Sequence, residues 1–283
     1  MTDDGWDDNV RPFPKPGGLL RLSKVPNRDP LKPWYSGFPE WQGKVAIAPG
    51  TLLVVTGSPG HGKTALVNNV VFNTAKSNDL QVIMAAFENE VKPDLRKMLR
   101  QYWAGCRQDE MTDRDILEAD GFIEEHYRFI VHPDDEPTLS YVLDMAQSGI
   151  SPDILVIDPW NGLLSERNES ELETEYIGAA LTGLRAFAVR ENCCVIITAH
   201  PAKRDVRFRD RMPTLEDVSG SKNWDNKPDQ GWVLYRPEFW DKNTRQRRFD
   251  VEFHQLKARH EELGYVCQIP MRLNPKTCRF ECA

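Results

Sequence analysis

The sequence of 283 residues lacks several features that mark specialised protein classes. None of its six cysteines belongs to a CxxC pair or to a cysteine and histidine spacing suited to zinc, so we expect reduced cysteines in a cytoplasmic protein. No apolar run reaches about 18 residues. The first residues, MTDDGWDDNVRPFPKPGG, have neither a basic nor an apolar segment. We therefore expect no membrane span and no export signal.

The sequence also lacks an excess of positive charge. Lysine and arginine number 36 against 43 aspartates and glutamates, a net charge of -7. Any binding of nucleic acid must therefore be confined to a loop or a channel. The composition, with 40% hydrophobic and 10% aromatic residues, is that of an ordinary globular protein long enough for a large core.

The chain changes character near residue 46. Residues 1–45 are rich in proline, glycine and charge without sustained periodicity, which predicts an arm or linker. From Thr51 onward, short apolar runs such as TLLVVT, QVIMAAF, YRFIV, ILVID and CCVIITAH alternate with amphipathic segments of helical length, the longest at residues 172–190. After residue 230 the strand patterns QGWVLYR, RRFDVEFHQLKAR, GYVCQIPMRL and RFECA dominate. Residues 46–283 are thus predicted to form one α/β domain with a mostly parallel central sheet flanked by helices and a C-terminal antiparallel extension.

Residues 57–64, GSPGHGKT, match the phosphate-binding loop GxxxxGK[ST], between a strand pattern and a helical pattern. Glycines let backbone N–H groups turn toward phosphates, and the helix N-terminus adds its positive dipole end. Lys63 is expected to reach the β and γ phosphates of ATP, and Thr64 to hold Mg²⁺. The alternative is a glycine-rich turn that binds nothing. The predicted nucleotide-binding residues of this loop are Gly57, Ser58, Pro59, Gly60, His61, Gly62, Lys63 and Thr64.

Three further polar residues follow predicted strands that share the carboxyl edge of the sheet. Asp158 ends ILVID and is expected to organise Mg²⁺, although a turn-forming or capping aspartate is the alternative. Glu88 follows QVIMAAF and is the candidate base that activates water, with Glu90 as a rival. His200 ends CCVIITAH and could donate to the γ-phosphate, or could be an ordinary polar residue at a strand end.

Two cations lie two residues apart in HQLKARHEELG near the C-terminus. In a strand, Lys257 and Arg259 would face the same side roughly 7 Å apart. Their repulsion would be on the order of 0.6 to 2.4 kcal/mol unless an anion lies between them. The alternative is an edge strand that carries charge against aggregation.

Residues 203–211, KRDVRFRDR, form a basic stretch with one aromatic residue in an acidic protein. Cations there could track DNA phosphates while Phe208 stacks on a base, or the stretch is a solvated loop with local aspartate pairing. The acidic stretch at residues 165–175 is instead expected to start the next helix. The candidate DNA-binding residues are Lys203, Arg204, Arg207, Phe208, Arg209 and Arg211.

Taken in order, GSPGHGKT, FENE, ILVID, ITAHPAK, SGSKNWDNKPDQGWVL and LKAR resemble the RecA-like motor domain of superfamily 4 hexameric replicative helicases. The resemblance covers roughly residues 35 to 283 and is closest to the Twinkle-like branch and its phage relatives. It implies a RecA-like P-loop NTPase in which Glu88 activates water, Asp158 organises Mg²⁺ and His200 senses the γ-phosphate. Lys257 and Arg259 match the Lys-x-Arg finger that enters the ATP site of the neighbouring subunit.

The resemblance implies an ATP-dependent DNA helicase that moves along single-stranded DNA as a hexameric ring, in replication of phage, plasmid or other mobile DNA. A RecA-like recombination or repair ATPase and a nucleotide-gated DNA-loading module without unwinding are the alternatives. No primase region precedes the motor in this sequence, so a separate primase is the expected partner. The aromatic residues of the arm could pack on a neighbouring subunit or on their own domain. These residues are Trp34, Tyr35, Phe38 and Trp41.

Overall fold

One central sheet organises the chain in a computed structural model. The structure describes residues 19, 21–25, 29–132, 137–202, 211–238, 240, 244–246 and 248–282. The strands named within them are β1 (Thr51–Thr56), β2 (Val82–Ala86), β3 (Tyr127–Phe129), β4 (Ile154–Asp158), β5 (Cys194–Thr198), β6 (Gln230–Tyr235), β7 (Asp250–Ala258), β8 (Cys267–Leu273) and β9 (Phe280–Cys282). Their order in the sheet is β3-β2-β4-β5-β1-β6-β7-β8-β9.

Helices follow most of the parallel strands. Those named in the described residues are α1 (Lys63–Asn78), α2 (Arg96–Ala104), α3 (Asp113–His126), α4 (Leu139–Gln147), α5 (Glu173–Glu191) and α6 (Asn223–Asn226). None of the helices in the described part of the chain is long and apolar enough to cross a membrane.

The strands from β3 to β6 in the sheet order pair in parallel, as the alternation of strand and helix patterns predicts. Alternate side chains of β1, β2, β4 and β5 enter two different cores: Val156 joins the core that includes α1, α2 and α3, and Ile157 joins the core that includes α4, α5 and α6. Helices cover both faces, which is why residues 154–157 form an unbroken apolar run. The predicted α/β fold is confirmed.

The sheet ends in an antiparallel ribbon. Strand β7 pairs antiparallel with β6 and β8, and β9 pairs antiparallel with β8. The pairing of β6 with β7 shifts register between Gly231 and Trp232. This ribbon is the predicted C-terminal extension, and it joins the parallel sheet directly through β6 and β1.

Helix α3 was not predicted from the sequence. Its start is nevertheless visible there, because Thr112 and Asp115 form a capping box: the Thr112 N–H donates to Asp115 Oδ2 at 2.9 Å, and the Asp115 N–H donates to Thr112 Oγ1 at 3.2 Å. Ala119, Phe122 and Ile123 then follow at helical spacing and are buried. A search for capping residues ahead of an apolar stripe would have found this helix.

Three of the arm's four aromatic residues, Trp34, Phe38 and Trp41, pack on the core of their own domain. Trp41 is fully buried and stacks on Phe253 of β7 at 4.4 Å between ring centroids, with Trp232 of β6 edge-on at 5.4 Å. Phe38 is also buried and stacks on Trp41, whereas Tyr35 is exposed. Phe38 and Trp41 therefore belong to the same core as the strands, although both precede residue 46.

Candidate nucleotide site

The turn between β1 and α1 has the backbone geometry of a phosphate-binding loop. Gly62, with φ of 97°, immediately precedes α1. At Gly57 a Cβ atom would overlap the carbonyl oxygen of Leu234 on β6, so the loop passes too close to the neighbouring strand for a side chain. The N–H groups in the first turn of α1 lack partners within the helix and form a ready site for an anion.

Lys63 is buried inside this loop. Its Nζ donates to the carbonyl oxygens of Gly57 at 2.9 Å and Ser58 at 3.4 Å. Burial lowers the pKa of Lys63 to about 8, and the carboxylates of Asp158 and Glu88 oppose part of that shift. This buried ammonium is suited to a phosphate, because the negative charge of a phosphate nearby raises the lysine's pKa and favours the charged form.

Asp158 is buried where β4 ends, and two hydroxyl groups contact its Oδ1. Thr64 donates to it at 3.3 Å from the first turn of α1, and Thr198 donates to it from the end of β5. Burial raises the pKa of Asp158, while both hydroxyl contacts lower it. One carboxylate and one hydroxyl within reach of each other fit Mg²⁺, which takes few protein oxygens and completes its shell with phosphates and water.

Glu88 and His200 meet at the same edge of the sheet. Glu88 Oε1 lies 2.9 Å from His200 Nε2, and the His200 N–H donates to Oδ1 of Asn161 at 3.1 Å. Glu90, the rival base, is exposed and begins the turn toward α2. The predicted base and the predicted γ-phosphate sensor therefore lie within hydrogen-bond distance, beside Lys63 and Asp158.

Three contacts of this site were missed in the sequence. Thr198 is the last residue of β5, and its position at the carboxyl end of a parallel strand could have identified it. Asn161 lies three residues after Asp158 and offered no such pattern. The Nδ1 of His61 accepts the N–H of Arg236 at 2.9 Å, and burial with the nearby Lys63 lowers the pKa of His61 to about 4. His61 is therefore a neutral acceptor that ties the loop to the end of β6.

Lys257 and Arg259 lie at the opposite edge of the sheet. Strand β7 ends at Ala258, so Arg259 lies just beyond the strand and is not a second same-face strand residue. Lys257 Nζ donates to the carbonyl oxygens of Asp225 and Asn226, and Arg259 forms an ion pair with Asp229 at 3.3 Å. The acceptors beside both cations therefore belong to the same chain.

Most of the candidate DNA-binding residues cannot be placed. Lys203, Arg204, Arg207, Phe208 and Arg209 lie outside the described residues. Arg211 is described, and it donates to Asp217 Oδ1 at 2.9 Å. In the acidic stretch, Glu173 begins α5, and the Leu172 N–H donates to Glu175 at 3.4 Å, so this stretch starts a helix as expected.

The fold and the phosphate-binding loop define a RecA-like P-loop NTPase. Residues 37–282 match the family model described as the DnaB-like helicase C terminal domain, and the chain belongs to this family.

Among curated proteins, the chain is similar to the Twinkle homolog protein, chloroplastic/mitochondrial, of Arabidopsis thaliana. The two are 29% identical over 203 residues, a match that covers 68% of this chain and 28% of the relative. The chain thus spans less than a third of that protein's length.

Two solved structures resemble the described fold. The first is an isolated ATPase domain with a TM-score of 0.72 and 19% identity, and the match covers 89% of this chain and 92% of that one. A DnaB-like replicative helicase, from a study of its interactions with primase, has a TM-score of 0.72 and 19% identity, with 89% and 62% covered. At this level of identity both likenesses concern the fold alone.

Proposed function

We propose that the chain is the motor of an ATP-dependent DNA helicase. It translocates on single-stranded DNA as a hexameric ring, in replication of phage, plasmid or other mobile DNA, with a separate primase as partner. A reducing, cytoplasmic setting belongs to the same proposal, because the spacing of the six cysteines fits neither a CxxC pair nor a zinc site. Membership of the DnaB-like family supports this proposal, and the arrangement of the charged residues around the sheet supports the ring.

The hydrolytic step follows from the residues at the carboxyl edge of the sheet. Lys63 and the first turn of α1 bind the β and γ phosphates, and Thr64 and Asp158 would hold Mg²⁺, which would supply positive charge to those phosphates. Glu88 accepts a proton from the attacking water, and His200, whose Nε2 lies 2.9 Å from Glu88 Oε1, is assigned the contact with the γ-phosphate. Asn161 and Thr198 keep His200 and Asp158 in place.

The separation of Arg259 from its own phosphate-binding loop is the observation that carries the proposal. The Arg259 N–H donates to Asp229 O, and the Asp229 N–H donates to Leu52 O, so Arg259 is level with the start of β1. From Leu52 to Gly57 the strand covers about 17 Å. Arg259 and Lys257 therefore act on the nucleotide of a neighbouring subunit, which a closed head-to-tail ring supplies at every interface.

DNA binding is assigned to the basic stretch at residues 203–211. It begins three residues after His200, which lies at the edge of the sheet that carries the nucleotide site. Its cations would contact phosphates, and Phe208 would stack on a base. Because each cation that contacts a phosphate releases counterions from the DNA, such binding should weaken steeply with salt.

One experiment tests ring, ligand and activity together. The protein is imaged by negative-stain electron microscopy with a nonhydrolysable ATP analogue and single-stranded DNA, and the same preparation is assayed for ATP-dependent displacement of a forked duplex. We expect closed rings and strand displacement.

Either of two other results would contradict the proposal and favour another function. Helical filaments on the DNA would indicate a recombination or repair ATPase. ATP turnover without strand displacement would indicate a nucleotide-gated loading module.

A further inference from the structure

The segment of residues 223–229, NWDNKPD, lies far from the phosphate-binding loop and has no part in the nucleotide site described above. It contains α6 and continues to Asp229, the residue before β6. Both Lys257 and Arg259 contact it. Its many polar groups therefore have a definite set of partners.

Asp229 is the centre of these contacts. It is 1% exposed, and its Oδ2 accepts the Leu52 N–H at 3.1 Å from the start of β1. Arg185 on α5 donates from Nε to both carboxylate oxygens, at 2.9 Å and 3.1 Å. Two rigid elements, β1 and α5, thus fix the orientation of the carboxylate before Arg259 contacts it.

Arg259 completes the cluster. Its Nη1 donates to Asp229 Oδ1 at 3.3 Å, and its Nη2 donates to the carbonyl oxygen of Asn226 at 3.0 Å. His260 Nε2 is also 3.6 Å from Asp229 Oδ1. The guanidinium is therefore held from one side by a buried carboxylate and by the last residue of α6.

The contacts leave Arg259 able to bind a further anion. A guanidinium has five N–H donors, of which the described contacts use two. The side chain is 34% exposed, and a cavity of about 610 Å³ is lined by Arg259, Arg185 and Asn226. The guanidinium is thus oriented but not saturated, which is the state that a catalytic cation needs before its substrate arrives.

We propose that Asp229, fixed by Arg185, is a positioning residue that aims Arg259 at the nucleotide of the neighbouring subunit. This inference rests on the proposed function, because it assigns Arg259 to the neighbouring site. It gives the segment of residues 223–229 a role: the carbonyl oxygens of Asp225 and Asn226 orient Lys257, and Asp229 orients Arg259.

Steady-state ATPase measurements with single-stranded DNA provide the first test. We expect Asp229→Asn to lower kcat by about 10- to 100-fold, because a displacement of about 1 Å can cost that much. The KM for ATP should change little, since the variant's own phosphate-binding loop is intact. Arg185→Gln removes a partner of Asp229 without altering the buried carboxylate or its contact with β1, and it should lower kcat by about tenfold.

Arg190→Gln is the matched control. Arg190 is on the same helix and lines the same cavity, but it pairs with Glu191 at 2.9 Å, not with Asp229. It should retain wild-type kcat. Equal losses in Arg185→Gln and Arg190→Gln would overturn the inference, because lost positive charge would then explain both.

Mixing variants separates positioning from a general structural role. A folded Asp229→Asn subunit retains its phosphate-binding loop and base, whereas a Glu88→Gln subunit retains its finger. In rings that contain equal amounts of both variants, about a quarter of the interfaces place the intact finger of a Glu88→Gln subunit beside the intact nucleotide site of an Asp229→Asn subunit. Activity should rise well above that of either variant alone, and the same is expected for Arg185→Gln mixed with Glu88→Gln.

A second mixture separates the positioning role of Asp229 from the proposed action of Arg259 between subunits. Arg259→Ala mixed with Glu88→Gln must also regain activity if the finger acts across the interface. If that mixture fails, the proposed action between subunits is wrong. If it recovers while Arg185→Gln or folded Asp229→Asn does not, only the positioning role is wrong.

Discussion

Glu88 and Glu90 are separated by a single residue in FENE, yet only Glu88 contacts the strand-end histidine. Its carboxylate lies 2.9 Å from His200 Nε2 and is close enough to Lys63 to raise the lysine's pKa. Both carboxylates are exposed, but Glu90 lies at the start of the turn toward α2. The two carboxylates therefore provide a matched pair for testing the base.

Glu88→Gln should lower kcat for ATP hydrolysis by about 10² to 10⁴-fold, because an amide of the same shape cannot accept the proton. The KM for ATP should stay within about twofold, since the phosphate-binding loop is unchanged. Glu90→Gln is the control and should retain activity. Steady-state hydrolysis with single-stranded DNA measures both variants, and a larger loss in Glu90→Gln would assign the base to Glu90 instead.

Lys63 should make the free energy of unfolding depend on pH. Burial lowers the pKa of Lys63 from 10.5 to about 8 in the folded, nucleotide-free protein. Between these two values the unfolded state binds more protons than the folded state, so the free energy of unfolding rises with pH. Below pH 8 both states are protonated, and above 10.5 neither is, so the contribution is confined to this window.

The comparison with Lys63→Met isolates that contribution. Between pH 8 and 10.5 the wild type should gain about 1 kcal/mol of unfolding free energy per pH unit relative to Lys63→Met. Urea unfolding at several pH values without nucleotide measures it. A constant difference between the two proteins across this range would contradict the shifted pKa.

At the scale of elements, one carboxylate joins α2 to α3. Oδ1 of Asp120 on α3 accepts hydrogen bonds from Nε of Arg100 at 2.8 Å and from Nε of Arg96 at 3.1 Å. The two arginines are one turn apart on α2 and would repel each other without it. Their hydrogen bonds hold the pKa of Asp120 well below its usual range.

Asp120→Asn should therefore lower the free energy of unfolding by about 1.5 to 3 kcal/mol at neutral pH. The lowered pKa means that the carboxylate's contribution is present above about pH 4 and is lost as the pH falls further. Glu118→Gln, at the exposed Arg114 pair on the same helix, is the control and should cost less than about 1 kcal/mol. Urea unfolding at pH 7 and pH 3 measures both variants, and equal effects would show that burial of the pair is unimportant.

The aromatic residues before β1 provide a second prediction at this scale. Trp41→Ala should cost about 3 to 5 kcal/mol, because it empties a fully buried position between Trp232 and Phe253. Tyr35→Ala, at a side chain that is 45% exposed, should stay within about 0.5 kcal/mol of the wild type. Chemical denaturation compares them, and a small effect of Trp41→Ala would mean that this segment packs elsewhere in solution.

For the whole molecule, the proposed action of Arg259 on the nucleotide of a neighbouring subunit predicts that catalysis depends on assembly. ATPase activity per subunit should rise with protein concentration and then reach a plateau as neighbouring fingers become available. An arginine finger contributes about 10³ to 10⁵-fold in rate in other phosphoryl-transfer systems, so dilute subunits should be nearly inactive. Arg259→Ala should remain low at every concentration, and a wild-type activity independent of dilution would contradict action between subunits.

The amino-acid sequence by itself determined most of the element order. Parallel strands, the phosphate-binding loop and the antiparallel extension are all encoded in runs of five to ten residues, because period, glycine spacing and apolar content are local properties. It also located the strand ends at Glu88, Asp158 and His200, since parallel strands share a carboxyl edge. Helix α3 was missed only because its capping box was not considered.

Only the tertiary structure decided which side chains meet. The contact of Glu88 with His200 spans 112 residues, and that of Asp158 with Thr198 spans 40. Asp229 likewise joins Leu52, Arg185 and Arg259 from three separate elements. Strand order and helix packing set these distances, and no local pattern encodes them. The family resemblance thus predicts a finger at Lys257 and Arg259, and the fold adds the buried carboxylate of Asp229 that contacts Arg259.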